Sequence, residues 1–236
     1  MKKLFVVSDI HGHYTLLKEA LDKSGFEIDN PNHKLICLGD YFDRGSENKL
    51  VLKFFERLKN KVLLMGNHEE LLLKLFQTGK VLPHNYINGT IQTLQEFFGK
   101  YCIDPTDDSL DFSGRTSEVN RICEFIDETI DYYETDDYVF VHGYLPQTDY
   151  KTATKEDWQK ARWTRWSDVY TGERPLKDKT LVCGHMPVFF AKKFDETRKI
   201  NCPDIFYGNG IIAIDAGTYD SQQINVLVIE NKHKEV

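Results

Sequence analysis

The chain has 236 residues, 41% of them hydrophobic, which is enough apolar material to bury a proper core, and one α/β domain is expected across 1–236. A formal net charge of -7, with no long Lys/Arg run, argues against a general grip on nucleic-acid backbones, and no apolar run approaches the ~20 residues of a membrane span. The N-terminal apolar stretch stops at Asp9, too short for the ~7 to 15 apolar residues of a signal peptide, and five cysteines without a Cys-x-x-Cys pair read as reduced thiols, so a cytoplasmic protein is expected.

In chain order, strand-length apolar runs recur at KLFVVSD, KLICLGD, KVLLMGN, DYVFVHG, KTLVCGH and GIIAID. Near-continuous runs of this kind read as strands buried on both faces, with helices packed outside. Between the first three lie helical patterns. HYTLLKEALDKSGF places Leu16, Leu17, Ala20 and Leu21 on one face with Gly25 as its stop, and ENKLVLKFFERLK and EELLLKLFQTG behave similarly. The order β-α-β-α-β follows. Residues 79–137 interrupt it with a loop around PHNYINGT, helical TIQTLQEFFGKY, a turn-rich IDPTDDSLDFSG and a second helix near SEVNRICEFIDETI, and read as an insertion over the site. Residues 144–179 read as irregular, INVLVIEN as a last strand, and KHKEV as a frayed tail.

Every strand-length run ends in Gly, Asp, Asn or His. In an open α/β sheet, ligands bind beyond the carboxyl ends of the strands, and those ends supply Asp9 and His11, Asp40 and Asp43, Asn67 and His68, His142, and His185. A lone strand-end His is more often a hydrogen-bonded core residue, and a lone Asp a cap or turn former. Their recurrence at one end makes a shared ligand the economical explanation. Carboxylate, amide and imidazole donors without thiolate suit Mn, Fe or Zn, and outnumber what one tetrahedral ion needs. Asp9 and His11 suit one ion, Asn67, His142 and His185 a second, and Asp40 a bridge. Two ions ~3.5 to 4 Å apart clamp the attacking and leaving oxygens of a phosphoryl displacement. Manganese is the expected activator, with iron or zinc as alternatives.

In this order, SDIHG (8 to 12), GDYFDRG (39 to 45), GNHEE (66 to 70), VHG (141 to 143) and GH (184 to 185) resemble the signature of calcineurin-like metallophosphoesterases, and the DRG narrows the likeness to small bacterial and phage members of the phosphoprotein phosphatase branch. The resemblance runs from about residue 3 to 218. It implies a sandwich of two mixed β-sheets flanked by helices, with two divalent metals at its edge. By similarity His68 is the general acid, Asp43 orients it, and Arg44 and Arg165 bind phosphate oxygens, with Arg162 competing for the last role. Two departures are Ser8 in place of the usual Gly and Gly-Tyr-Leu-Pro after His142.

The implied reaction is hydrolysis of phosphoserine and phosphothreonine, and of phosphotyrosine as a further substrate, by direct attack of a metal-bound hydroxide. Hydrolysis of dinucleoside polyphosphates is the alternative, and a non-catalytic metal-binding scaffold a third. A phosphorylated protein or a small phosphoester is the expected partner, with neither nucleic acid nor membrane.

Overall fold

The computed structural model describes residues 2–231. In chain order these form β1 (Lys2–Val7), α1 (Tyr14–Ser24), β2 (His33–Cys37), α2 (Asn48–Arg57), β3 (Lys61–Leu63), α3 (Asn67–Thr78), α4 (Pro83–Ile87), α5 (Thr90–Phe98) and α6 (Thr116–Asp127). There follow β4 (Tyr132–Glu134), β5 (Tyr138–Val141), α7 (Lys155–Arg162), α8 (Trp166–Val169), β6 (Thr180–Cys183), a 3₁₀ turn (Val188–Lys193), β7 (Phe206–Gly208), β8 (Ile211–Ala213), α9 (Thr218–Ser221) and β9 (Leu227–Asn231). The expected frayed tail KHKEV lies outside the described residues, within which no helix is long and apolar enough to cross a membrane.

Two mixed sheets result, with strand orders β3-β2-β1-β9 and β4-β5-β6-β8-β7. β1, β2 and β3 run parallel and β9 antiparallel to β1. In the second sheet β5, β6 and β8 run parallel, while β4 and β7 pair antiparallel at its edges. Strand alternation explains how one run can be apolar throughout. Phe5, Val7, Leu35 and Cys37 pack with helix residues such as Leu17, Leu21, Val51 and Phe55, whereas Leu4, Val6 and Ile36 meet Phe140, Val182 and Ile214 of the second sheet. On that sheet Val139, Val141 and Leu181 join Trp158 and Trp166 instead. Each such buried side chain contributes about 1.5 to 3 kcal/mol through removal from water.

The architecture is the expected sandwich, with one correction: the six strand ends belong to two sheets rather than to one open sheet. A run buried on both faces does not reveal whether helix or sheet covers the second face. Two further segments carry more order than the sequence suggested. PHNYI forms α4, whose start has Pro83 at an early helical position and Asn85 Oδ1 accepting from Leu82 N at 2.8 Å. Within 144–179, α7 is nucleated by Thr154, whose hydroxyl accepts from Asp157 N while the Asp157 carboxylate accepts from Thr154 N.

Candidate active site

The loops after β1, β2, β3, β5 and β6 converge. Nine non-glycine residues among those described have positive φ, and six are sequence-predicted site residues: Asp9, His11, Asp40, Asp43, Arg44 and His185. Positive φ costs a non-glycine residue roughly 1 to 2 kcal/mol, so the surrounding hydrogen bonds must hold these turns. They do so through Asp9 N to Gly39 O at 3.1 Å, His11 N to Asp40 O at 3.0 Å and Gly45 N to His11 O at 2.9 Å, which lock the first two loops together.

Asp40 lies at the centre. Its Oδ2 is 3.6 Å from His11 Nε2 and 3.9 Å from His68 Nε2, while its Oδ1 is 3.5 Å from His142 Nε2 and accepts from His68 N at 3.1 Å. Each carboxylate oxygen thus faces a different set of imidazoles. His11 Nδ1 donates to the Phe42 carbonyl at 3.0 Å and His142 Nδ1 to the Leu38 carbonyl at 2.9 Å, which fixes both tautomers and leaves each Nε2 facing Asp40. Burial holds His142 down at about 4 and His185 at about 3, and His11 well below the usual histidine range, so all three rings are neutral donors. Asn67, the first residue of α3, has Oδ1 2.9 Å from His142 Nε2.

Potential metal donors fall into two groups sharing Asp40, namely His11, Asp40 and His68, and Asp40, His142 and His185, each with donor atoms within 4.8 Å of one another. Neutral imidazoles around a carboxylate, His11 and His142 with tethered outer nitrogens, and no thiolate fit two divalent cations. Asp9, assigned on sequence to the first ion, stands outside both groups. Its Oδ2 accepts from Ser8 Oγ and from His185 N at 2.9 Å, so it joins β1 to the His185 turn. The departure at Ser8 therefore supplies a donor to a predicted ligand.

His68 occupies an ambiguous place. Its Nε2 is in the first group, yet Nδ1 is 2.7 Å from Asp43 Oδ2, and Arg44 Nη2 is 3.4 Å from Nε2. Burial opposes protonation, but the Asp40 charge and the Asp43 hydrogen bond outweigh it and raise His68 to about 9. The carboxylate on Nδ1 favours the protonated ring and suits a proton carrier better than a ligand, while the Arg44 charge beside Nε2 works against protonation.

Several residues that hold this arrangement escaped the sequence reading. Buried Glu69 accepts from Asp40 N at 2.8 Å, Tyr41 N at 2.9 Å and Gly66 N at 3.1 Å, clamping the second loop to the start of α3. Its signal was Glu three residues after a helix N-cap, half of a capping box. Thr90 and Thr93, on successive turns of α5, donate to Asp43 at 2.9 and 2.7 Å, so 79–137 supplies supports for the partner of the candidate acid. A Cβ on Gly89, at φ 81°, would collide with the backbone of Arg44, which glycine alone avoids. Asp215, beside Asp9 and unassigned from sequence, is pushed well above the usual carboxylate range by burial and then by the Asp9 charge.

The two arginines separate clearly. Arg162 is 8% exposed and bonded to Asp131 at 2.5 Å and Glu70 at 3.3 Å. Arg165 is exposed, and its charge acts on His185. Away from the site, His33 packs at 4.8 Å against Phe5, and all five cysteines are free thiols, with Cys37 and Cys183 buried.

Comparison with known proteins agrees with this geometry. The chain is 23% identical to bis(5'-nucleosyl)-tetraphosphatase PrpE [asymmetrical] of Oceanobacillus iheyensis across 89% of its length and 87% of that protein's. It is 28% identical to serine/threonine-protein phosphatase 2 of Salmonella typhimurium across 88% of its length and 90% of that protein's. The crystal structure of the cold-active protein-tyrosine phosphatase of a psychrophilic Shewanella superposes with a TM-score of 0.58 at 18% identity, covering 98% of this chain and 76% of that one. The family model for calcineurin-like phosphoesterase matches residues 2–214, and with that the chain belongs to the calcineurin-like phosphoesterase family.

Proposed function

We propose that this phosphoesterase is a dinuclear-metal phosphomonoesterase that hydrolyses phosphoserine and phosphothreonine, with phosphotyrosine as a further substrate. The observation that carries the reading is Asp40, whose two oxygens face two separate imidazole groups beside the His68–Asp43 pair. His11, His142, His185 and Asn67 complete the two donor sets around Asp40, and Asp9, whose Oδ2 is engaged by Ser8 and the His185 N–H, joins the first through its other oxygen. Two divalent cations there, manganese first and iron or zinc as alternatives, supply Lewis acidity and an acidified water.

The chain's own groups perform the rest. Arg44 and Arg165 grip the phosphate oxygens, Arg165 being the exposed one of its pair, while Arg162 is committed to Glu70 and Asp131. His68 delivers a proton from Nε2 to the departing oxygen. Asp43 holds Nδ1 and is itself fixed by Thr90 and Thr93, so the ring does not turn as its proton leaves. A proton donor of this kind is needed most where the leaving group is a basic alkoxide, as in phosphoserine.

Hydrolysis of dinucleoside polyphosphates is a second reading, supported by similarity to the Oceanobacillus tetraphosphatase over nearly the whole chain. The test is one purified sample, reconstituted in turn with manganese, iron and zinc, assayed on a phosphoserine peptide and on diadenosine tetraphosphate. Phosphate release from the peptide is expected. Inactivity on the peptide with every metal refutes the proposal, and cleavage of diadenosine tetraphosphate alone would leave the second reading in its place.

A further inference from the structure

The chain has three tryptophans, and two serve the core. Trp158 is 4% exposed and stacks on Tyr132 at 5.3 Å, and Trp166 is fully buried with its indole N–H donating to the Met186 carbonyl at 2.8 Å. Trp163 is 45% exposed. Its ring stands 6.3 Å from the His185 ring, edge-on at 79°, and its indole N–H has no hydrogen-bond partner among the described residues. A large apolar ring left half in water beside a metal-type cluster is poorly used by the fold alone.

The ring is nonetheless placed firmly. Trp163 caps α7, with its N–H on the Lys160 carbonyl at 3.1 Å, directly after Arg162, which Glu70 and Asp131 pin. Thr164 Oγ returns to the same Lys160 carbonyl at 3.0 Å. A Cβ on Gly143, next to His142, would strike the carbonyls of Ala161, Arg162 and Thr164, so this turn is seated on the second-sheet loop that carries a predicted ligand. Two residues beyond the ring, Arg165 is exposed and has no carboxylate partner among the described residues. A flat ring, a free guanidinium and the donor clusters therefore lie side by side. That order matches a molecule with a planar heterocycle attached to a chain of phosphates. A phosphoserine peptide presents no flat face next to its phosphate.

We propose that Trp163 is a base-stacking platform and the specificity-determining residue through which this site takes dinucleoside polyphosphates in addition to phosphomonoesters. The inference rests on the phosphoester-hydrolase reading above and names the residue behind its second substrate class. In the reaction a water oxygen bonds to phosphorus, the P–O anhydride bond breaks, the departing nucleotide keeps the electron pair, and the water's proton passes to solvent. No co-reactant besides water is needed.

The test compares wild type with Trp163→Leu and Trp163→Phe, all metal-loaded. Base–aromatic stacking of ordinary strength corresponds to about 5- to 150-fold in kcat/KM. The ratio of kcat/KM for diadenosine tetraphosphate to that for a phosphoserine peptide should fall by that factor in Trp163→Leu and recover in Trp163→Phe. Because the other two indoles are buried, AMP should quench the emission of wild type and leave that of Trp163→Leu unaltered. An unchanged ratio in Trp163→Leu, or a wild type that cleaves the peptide but not diadenosine tetraphosphate, overturns the inference while the phosphatase reading stands. A wild type inactive on both substrates removes the underlying reading instead.

Discussion

Replacing His68 with Asn tests the role on which the chemistry turns, because the structure offers this side chain two incompatible jobs. Its Nε2 lies among potential metal donors with His11 and Asp40, and its Nδ1 is held 2.7 Å from Asp43 in the manner of a proton carrier. Against the opposing effect of burial, the Asp40 charge and the Asp43 hydrogen bond raise His68 to about 9, which favours the protonated ring near neutral pH. General acid catalysis contributes ~10²- to 10⁴-fold, which at 1.36 kcal/mol per decade is about 2.7 to 5.5 kcal/mol of barrier. That full loss is expected on a phosphoserine peptide, whose alkoxide needs the proton as the P–O bond breaks. On p-nitrophenyl phosphate, whose phenolate leaves unaided, the loss should be much smaller. Metal content should survive, since Asp40, His142, His185 and Asn67 remain. Asp43→Asn should show a weaker version of the same bias, because Thr90 and Thr93 can still hold the Asn side chain in place. The wild type should also lose peptide activity as pH rises and His68 gives up its proton, with the limb below 9 in the loaded enzyme because nearby cations disfavour the imidazolium. Steady-state kinetics on both substrates, with elemental analysis of each variant, decides the matter. Equal losses on the two leaving groups with metals retained would refute the acid role, and loss of metal would make His68 a ligand.

Asp40→Asn should lose metal and activity together, and with them the metal-dependent stabilisation, which is about 2.7 kcal/mol at a hundredfold excess over Kd and is read as a rise in Tm; His84→Ala should lose neither, and unchanged metal in the Asp40 variant would end its bridging assignment. Arg165→Ala should raise KM and lower kcat, whereas Arg162→Ala should lower stability by about 1 to 3 kcal/mol, less than the 3 to 5 of a fully buried pair because Asp131 is 36% exposed; the reverse pattern would exchange their roles. Burial, then repulsion from Asp9 against the attraction of His68, raises Asp40 to about 6, and only its ionised form ligates. Metal affinity should therefore hold above about pH 6 and fall about tenfold per unit below it, since His142 and His185, held at about 4 and 3, stay neutral across that window; calorimetric titration with no change between pH 5 and 7 would contradict this. Glu69→Gln should cost about 1.5 to 3 kcal/mol in urea unfolding, because an amide NH₂ cannot accept from all three N–H groups the carboxylate now serves.

Residues that the fold gathers at strand ends are legible because their signal is local. An apolar run that stops at Asp9, Asp40, Asn67, His142 or His185 announces a polar side chain at a fixed place in a sheet. Residues that act by holding other residues left little trace. Glu69 grips Asp40 and Tyr41 from 29 and 28 positions away, and Thr93 reaches Asp43 across 50. Nothing in hydrophobic period encodes such pairings. Arg162 and Arg165 looked interchangeable for a related reason: their different fates depend on Glu70 and Asp131, which only the fold brings to one of them. Asp9 is assigned to an ion by its spacing from His11, and spacing does not encode the second use of its carboxylate, which accepts from the backbone N–H of His185.

The left-handed turns at Asp9, His11, Asp40, Asp43, Arg44 and His185 bear on how this protein can change over generations. At each of them glycine would sit without strain, so loss of a functional side chain relieves the backbone by as much as ~1 to 2 kcal/mol. That relief offsets part of what is lost when such a side chain takes its hydrogen bonds with it, so a lineage released from selection on catalysis would shed these residues at less cost than their burial suggests. Thermostabilised libraries of this chain need an activity gate at every round, because a screen for folding alone undercounts the loss of these side chains.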